Sequence, residues 1–360
     1  MRAAVWTSTD RPLEVMDLDL VAVGPGMVKV RLAASGVCHT DLSIARGNLD
    51  HPAPAVIGHE GAGVVEEIGD GVTAVRPGDH VVLSWIAQCG ACYPCRRGQG
   101  HVCEAYPRGQ VPTPFRLGDE HVHQMMTTGT FSEVTIVPEG GAVRIDDDVP
   151  LHLAALIGCG VLTGAGAALN TASIAEGDRI AVFGCGGVGL NTIQGARIAG
   201  AGTIVAVDTN PAKLELGRRF GATHLVNAAD ADAVDALRDL TDGRGVDVAF
   251  EVIGNATTAA QALASTRRAG QTVLVGVTPD HVTLPLNLLG FVRSAIELRA
   301  CYYGSANVRV DVPRLLELWR SGELLLEELV TDEITLDGIE DAFAAIEAGT
   351  ATRSVIRYDR

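Results

Sequence analysis

The chain changes its hydrophobic rhythm once, near residue 160. Before that point, apolar positions come in short runs cut by Gly and Pro. Val28-Lys29-Val30-Arg31-Leu32, Gly63-Val64-Val65-Glu66-Glu67-Ile68 and His80-Val81-Val82-Leu83 are such runs, with Gly24-Pro25-Gly26, Gly69-Asp70-Gly71 and Arg76-Pro77-Gly78-Asp79 as punctuation. Short strands with regular turn signals predict an all-β domain, a barrel. Beyond residue 160, near-continuous apolar strands alternate with helical stretches. The strands are Arg179–Phe183, Thr203–Asp208, Asp247–Val252 and Gln271–Gly276, and Lys213–Phe220 is one of the helices. That alternation predicts an α/β fold with a parallel, doubly wound sheet. The tail predicts a helix over Pro313–Arg320 and a last strand over Arg353–Tyr358.

Composition narrows the class. A length of 360 residues suits two domains, and 47% apolar residues suffice for full cores. A net charge of −16 argues against nucleic acid and anionic membrane surfaces as partners, since both call for basic patches. Val149–Ala175 lacks Asp, Glu, Lys and Arg and could span a bilayer by length alone. It also holds Gly158, Gly160, Gly164, Gly166, His152, Thr163 and Asn170, so it reads as buried core with a site in it. Met1–Trp6 is strand-like, without the apolar stretch and cleavage site of a signal peptide, and a cytoplasmic location is expected.

The strongest chemical signal is Cys89-Gly-Ala-Cys92-Tyr-Pro-Cys95 followed by Cys103. Four thiolates at compact spacing can close a tetrahedral shell around one zinc. Paired disulfides are the alternative, disfavoured by C-x-x-C spacing in a chain without a secretory segment. An iron–sulfur cluster is the other four-cysteine option. A closed four-sulfur shell leaves no open position, so this site is expected to be structural.

Gly184-Cys185-Gly186-Gly187-Val188-Gly189 matches G-x-G-x-x-G between a strand and a helix, the context in which the motif carries meaning. Gly184 makes the turn, Gly186 admits a pyrophosphate, and Gly189 lets helix pack on strand. The phosphates then meet the positive end of a helix. Asp208 ends the next strand, where a carboxylate can accept both ribose hydroxyls of NAD and would repel the 2′-phosphate of NADP. Lys213 could reach the same ribose or stand in solvent. NAD is the expected cofactor.

Cys38, His59 and Cys159 could also bind metal, but spacing alone does not join them. Together with Gly36-Val-Cys-His-Thr-Asp41, Gly58-His-Glu-Gly-Ala-Gly63, Gly158-Cys-Gly160 and Phe250-Glu-Val-Ile-Gly254, they make the chain resemble the zinc-dependent alcohol dehydrogenases of the medium-chain dehydrogenase/reductase superfamily. The resemblance covers essentially the whole chain. It implies a GroES-like β-barrel catalytic domain over 1–160 and 304–360, and a Rossmann coenzyme domain over 161–303. It implies two Zn²⁺ per chain: one structural, and one catalytic held by Cys38, His59 and Cys159 with a fourth position open. Zinc would then act as a Lewis acid on the alcohol oxygen. Thr40 matches the hydroxyl that takes the alcohol's proton, and Glu60 and Asp41 match acidic residues around the metal. His39 and Arg353 match groups near the coenzyme pyrophosphate. Thr163 and Val188 match residues at the nicotinamide face, and Gly187 and Val275 complete the coenzyme set.

The chain also departs from the family pattern. His39 stands where dimeric animal members often have Arg, and Ser43 where a histidine often ends the proton relay; water, His39 or His51 could take its place. Leu49, Trp85, Met125 and Met126 match substrate-channel positions, and all are apolar. They suit a primary alcohol with a hydrophobic or aromatic body. The alternative is a thiol-dependent formaldehyde dehydrogenase. In the glutathione enzymes an arginine follows the fourth lobe cysteine; here Glu104-Ala105-Tyr106 follows, with Arg108 the nearest candidate. Glu104–Thr130, with Pro107, Pro112 and Pro114, is expected to form a covering loop. A homodimer is expected over a tetramer, joined by edge strands near 300–310, with Cys301-Tyr302-Tyr303 as the β segment.

Overall fold

The computed structural model describes residues 1–106 and 113–358. The chain divides into two compact units. One holds Met1–Gly160, Asn307–Ser321 and Leu326–Arg360; the other holds Val161–Ala306 and Gly322–Leu325. The return to the first unit therefore falls after Ala306 rather than after 303, and a short strap of the tail stays with the second unit.

The first unit is built on two sheets. Met27–Val37 is the spine of the larger, seven-stranded sheet, pairing with Glu60–Ile68, Val134–Pro138 and the last strand Arg353–Arg357. Its strands alternate buried and open positions, as at Met27–Arg31, because one face covers the core of Val28, Val30, Leu32, Val65, Val81 and Leu83. Ser354 lies opposite Val37, so the chain's far end is brought beside Cys38. The second sheet is six-stranded and starts from Arg2–Trp6. It contains a hairpin, Phe115–Leu117 with Glu120–Gln124. The stretch expected as a covering loop is thus partly sheet: the paired Phe115 and Val122 are fully buried and give it a core to pack on. Pro107, Arg108 and Pro112 lie outside the described residues.

The second unit is a six-stranded, all-parallel sheet. Its order is His224–Asn227, Thr203–Asp208, Arg179–Phe183, Val246–Glu251, Thr266–Leu274 and Glu297–Ala300. Both faces are covered, which explains the continuous apolar runs: Ala181, Phe183, Val205, Val207 and Ala249 form its core. The order reverses beside Arg179–Phe183, and the crevice at such a switch point is where doubly wound sheets bind ligands. The edge strand is Glu297–Ala300, and Cys301-Tyr302-Tyr303 is irregular rather than β. Tyr303 adopts φ 54 and Gly304 φ 66, which ends the extended run.

Leu151–Thr171 forms a single long helical stretch, 83% buried across its apolar window. Among the described residues it alone is long and apolar enough to cross a membrane, but it packs as a core helix. Ile157–Val161 within it winds as a π-turn, a feature frequent at functional sites.

Candidate active site

Cys38 sits where the spine strand ends and the helix His39–Ala45 begins. Asp41 caps this start: its Oδ2 accepts the Cys38 N–H at 2.8 Å. The other oxygen, Oδ1, is 2.7 Å from Nδ1 of His59. One buried carboxylate thus fixes the backbone of Cys38 and the ring of His59. Nε2 lies 3.2 Å from the sulfur of Cys159; with Nδ1 directed at Asp41, Nε2 is the ring atom left to ligate a metal. Cys159 reaches this point from the π-turn. Its neighbours are glycines for a steric reason: a Cβ on Gly158 would run into the Leu83 carbonyl, and one on Gly160 into the Arg353 guanidinium.

The ligand atoms of Cys38, His59, Glu60 and Cys159 all lie within 4.8 Å of one another, and all four residues are buried. Two thiols, one imidazole and a carboxylate crowded out of water form a costly arrangement unless a cation joins them. The titration directions are mixed: the Cys38 thiol is lowered, while Cys159, hydrogen-bonded to it and buried, is raised well above its usual value. A hydrogen bond from Cys159, with Arg353 and His59 nearby, holds the Cys38 thiol well below its usual value. Burial works against protonated His59, but the Asp41 carboxylate and the Cys38 sulfur together raise the ring well above its usual value. Burial pushes Glu60 up to about 7, against the pull of Arg353. Glu60 Oε1 accepts the Gly160 N–H at 3.2 Å, while its buried Oε2 has no hydrogen-bond partner. The residues fit a zinc ion.

Cys89, Cys92, Cys95 and Cys103 form a second set with sulfurs within 4.8 Å. Backbone amides point at these sulfurs: Cys92 N–H to Cys89 Sγ at 3.3 Å, and Cys89 N–H to Cys103 Sγ at 3.4 Å. The Glu104 and Cys95 amides lower the Cys92 thiol to about 6. Amides directed at sulfur stabilise thiolates, and four thiolates fit one closed zinc site.

Thr40 Oγ1 is 3.9 Å from Cys38 Sγ. The indole of Trp85 stands edge-on to the His59 ring, 6.4 Å between centroids at 86°. Leu49 and Met126 are partly buried against the core. Met125 is 0% exposed and belongs to the core cluster that holds Phe115, Val122 and Phe131. His39 is exposed. Arg353 is 5% exposed and turned inward: Nη1 donates to the Val37 carbonyl at 3.3 Å, and Nη2 lies 3.4 Å from Glu60 Oε1. The Ser43 carbonyl accepts from Asn48 and Leu49, closing the turn after the helix. His51 Nδ1 lies 2.9 Å from the Pro52 carbonyl, and its ring meets Trp6 edge-on.

In the second unit the glycine loop joins Arg179–Phe183 to the helix Gly187–Ile198. A Cβ on Gly189 would strike the Gly184 carbonyl, so helix and loop touch there. A Cβ on Gly186 would meet nothing within 4 Å, which leaves a cradle open before the helix. No side chain caps that helix start. Free amides around an open cradle fit a pyrophosphate. Asp208 is anchored beside it: Oδ2 accepts the Cys185 N–H at 2.8 Å and Oδ1 the Asn210 N–H at 2.9 Å. The Cys185 contact was not evident from the motif; the pairing of Phe183 with Val207 brings the two strand ends together. Lys213 is half-buried and near enough to act on the Cys185 thiol. On the long helix, a Cβ on Gly164 would meet the Val188 carbonyl, so Thr163 lies one position from close contact with Val188. Val275 donates its N–H to the Glu251 carbonyl.

The comparisons with known proteins agree with this construction. Residues 24–147 match the alcohol dehydrogenase GroES-like domain, and residues 187–321 match the zinc-binding dehydrogenase family. An S-(hydroxymethyl)glutathione dehydrogenase of Escherichia coli O1:K1 is 40% identical over 99% of both chains. Among solved structures, an alcohol dehydrogenase zinc-binding domain protein from Burkholderia ambifaria is 32% identical, with a TM-score of 0.94 over 100% of this chain and 99% of that one. Benzyl alcohol dehydrogenase from Acinetobacter calcoaceticus is 30% identical, with a TM-score of 0.92 over 99% and 98%. The chain belongs to the zinc-dependent alcohol dehydrogenase family of the medium-chain dehydrogenase/reductases. It is an oxidoreductase of GroES-like plus Rossmann architecture that uses zinc and a nicotinamide cofactor on a small-molecule substrate.

Proposed function

We propose that this enzyme oxidises a primary alcohol with a hydrophobic or aromatic body to the aldehyde, reversibly, with NAD. The observation that carries the substrate reading is Trp85. Its indole, 8% exposed, stands against His59 and gives the ligand cage an apolar wall. A flat apolar body attached to the reacting carbon suits such a wall.

Cys38, His59 and Cys159 would hold the catalytic zinc, and Cys89, Cys92, Cys95 and Cys103 the structural one. When bound, zinc would supply Lewis acidity at the alcohol oxygen and the nicotinamide would supply a hydride acceptor. Thr40 accepts the alcohol's proton through its hydroxyl and passes it outward. Asp41 keeps His59 in the ligating tautomer. Gly184, Gly186, Gly187 and Gly189 cradle the pyrophosphate, Asp208 takes the ribose hydroxyls, and Thr163, Val188 and Val275 line the nicotinamide side. Ser43 lacks the pKa of a terminal base, and water fills that role.

The second reading is a thiol-dependent formaldehyde dehydrogenase, favoured by the 40% identity to the Escherichia coli relative. A charged thiol adduct calls for a cation at the pocket mouth. Glu104-Ala105-Tyr106 supplies none, and Arg108 lies outside the described residues. The enzyme is expected to work in the cytoplasm, where its eight cysteines, none in a disulfide, stay reduced. Two copies are expected to pair through the edge strand Glu297–Ala300 and the preceding helix, whose Leu288, Leu289 and Val292 are 73%, 59% and 74% exposed.

The coenzyme assignment is tested by initial rates with NAD and NADP at equal concentration, for the natural enzyme and for Asp208→Gly. The natural enzyme should prefer NAD, and the variant should narrow the gap by about tenfold or more, the scale of one lost charge-assisted interaction. Better use of NADP by the natural enzyme would reject the Asp208 role.

A further inference from the structure

The helix after the glycine loop carries two buried amides that the nucleotide reading does not use. Asn191 is 1% and Gln194 0% exposed. Both share one helix face with Gly187, since residues three or four apart are neighbours on a helix. Asn191 Nδ2 donates to the Gly187 carbonyl at 2.7 Å. Asn191 Oδ1 accepts from Gln194 Nε2 at 3.2 Å. Gln194 then grips the backbone of Leu325 twice: Oε1 accepts the Leu325 N–H at 2.7 Å, and Nε2 donates to the Leu325 carbonyl at 3.1 Å. Farther along the helix, Arg197 donates to the Glu323 carbonyl.

Leu325 closes the strap Gly322–Leu325. The strap packs in the coenzyme unit, although the chain on either side of it, Asn307–Ser321 and Leu326–Arg360, belongs to the catalytic unit. Leucine or methionine would fill these positions at no polar cost. Burying two amides is tolerable only while every bond in the chain of contacts is made. The network therefore stands or falls as a unit. One end is the first helical residue of the glycine fingerprint, and the other is the strap.

We propose that Asn191 and Gln194 are positioning residues that couple coenzyme binding to docking of the strap Gly322–Leu325. A pyrophosphate on the helix start orders the Gly187 peptide. That peptide holds Asn191, which holds Gln194, which holds Leu325. Linkage makes the effect reciprocal: a docked strap raises coenzyme affinity, and bound coenzyme tightens the strap. The strap follows the helix Val308–Arg320 in the chain. This inference rests on the reading of Gly184–Gly189 as the dinucleotide loop.

The test uses the zinc-loaded full chain, with NADH as the probe. Binding is followed by nicotinamide fluorescence and by amide hydrogen exchange at Leu325. The natural protein should bind NADH, and binding should slow Leu325 exchange by about tenfold or more, the scale of one net buried hydrogen bond. Gln194→Met should raise the NADH Kd and the KM for NAD by about tenfold on the same scale. Its kcat at saturating coenzyme and its zinc content should stay within about twofold, a split that general loosening would not give. Gln194→Glu keeps the acceptor for the Leu325 N–H and loses the donor, and should fall between the two. NADH binding that leaves Leu325 exchange unchanged in the natural protein would overturn the coupling, and so would natural NADH affinity in either variant. A natural protein that bound no NADH would remove the dinucleotide reading, and the coupling with it.

Discussion

Asp41 shows how one residue sets the site. It is fully buried and divides its two oxygens between the Cys38 amide and the His59 ring. Asp41→Asn should weaken zinc at that cage by about 10- to 100-fold, because the amide no longer fixes the ring; chelator competition measures it. Thr40 is the proton acceptor in this account. Thr40→Ser should be tolerated, while Thr40→Ala should cost about two orders of magnitude or more in kcat/KM. Near-normal turnover of the alanine variant across pH 6 to 9 would show that the proton leaves elsewhere. Away from the site, Asp247 is pushed up by partial burial, yet the Arg179 amide and the Arg267 guanidinium bring it below its usual value. A depressed folded pKa adds stability that is present above the unfolded value, about 3.9, and is lost as pH falls through the folded one. Asp247→Asn should therefore destabilise the protein at neutral pH, with a gap that narrows below about pH 4 in denaturant titrations at several pH values. At this scale the sequence was a partial guide. The ligand types were visible, but the contacts that fix their orientation join residues far apart in the chain.

Regular elements were the most legible. His80–Leu83, Arg179–Phe183 and Thr203–Asp208 have the bounds expected from their apolar runs. The hairpin after Phe115 was hidden by the prolines and the short length of its strands, and Cys301–Tyr303 was misjudged because β-type residues there meet a left-handed turn. The π-turn at Ile157–Val161 leaves no mark in hydrophobic periodicity, yet it delivers Cys159 to the cage. The four-cysteine lobe holds little regular structure, a four-residue helix and one 3₁₀ turn. Its order should depend on metal. Cys95→Ser should lose one zinc and lower the melting temperature by several degrees, on the order of 5 °C, as expected when a folding-coupled metal site is removed. Cys38→Ser should lose the other zinc and the activity while staying folded. Elemental analysis beside thermal unfolding separates the two. One zinc or none in undepleted natural protein would contradict both assignments.

For the whole molecule, the two-unit organisation followed from the change of rhythm near residue 160, and the structure adds the strap that crosses back at Gly322–Leu325. Edge strand and exposed helix together predict a dimer by light scattering at micromolar concentration. A clean monomer would leave Leu288, Leu289 and Val292 without a partner and reject the pairing. The central claim is that the cage beside Trp85 oxidises a hydrophobic primary alcohol with NAD. Its most direct test is kcat/KM for benzyl alcohol against S-(hydroxymethyl)glutathione, with the same zinc-replete enzyme and saturating NAD. The account predicts that benzyl alcohol is favoured by about tenfold or more, the scale set by ring packing against the indole for one substrate and an unpaired charged group for the other. Efficient turnover of the glutathione adduct with little or none of benzyl alcohol would contradict it.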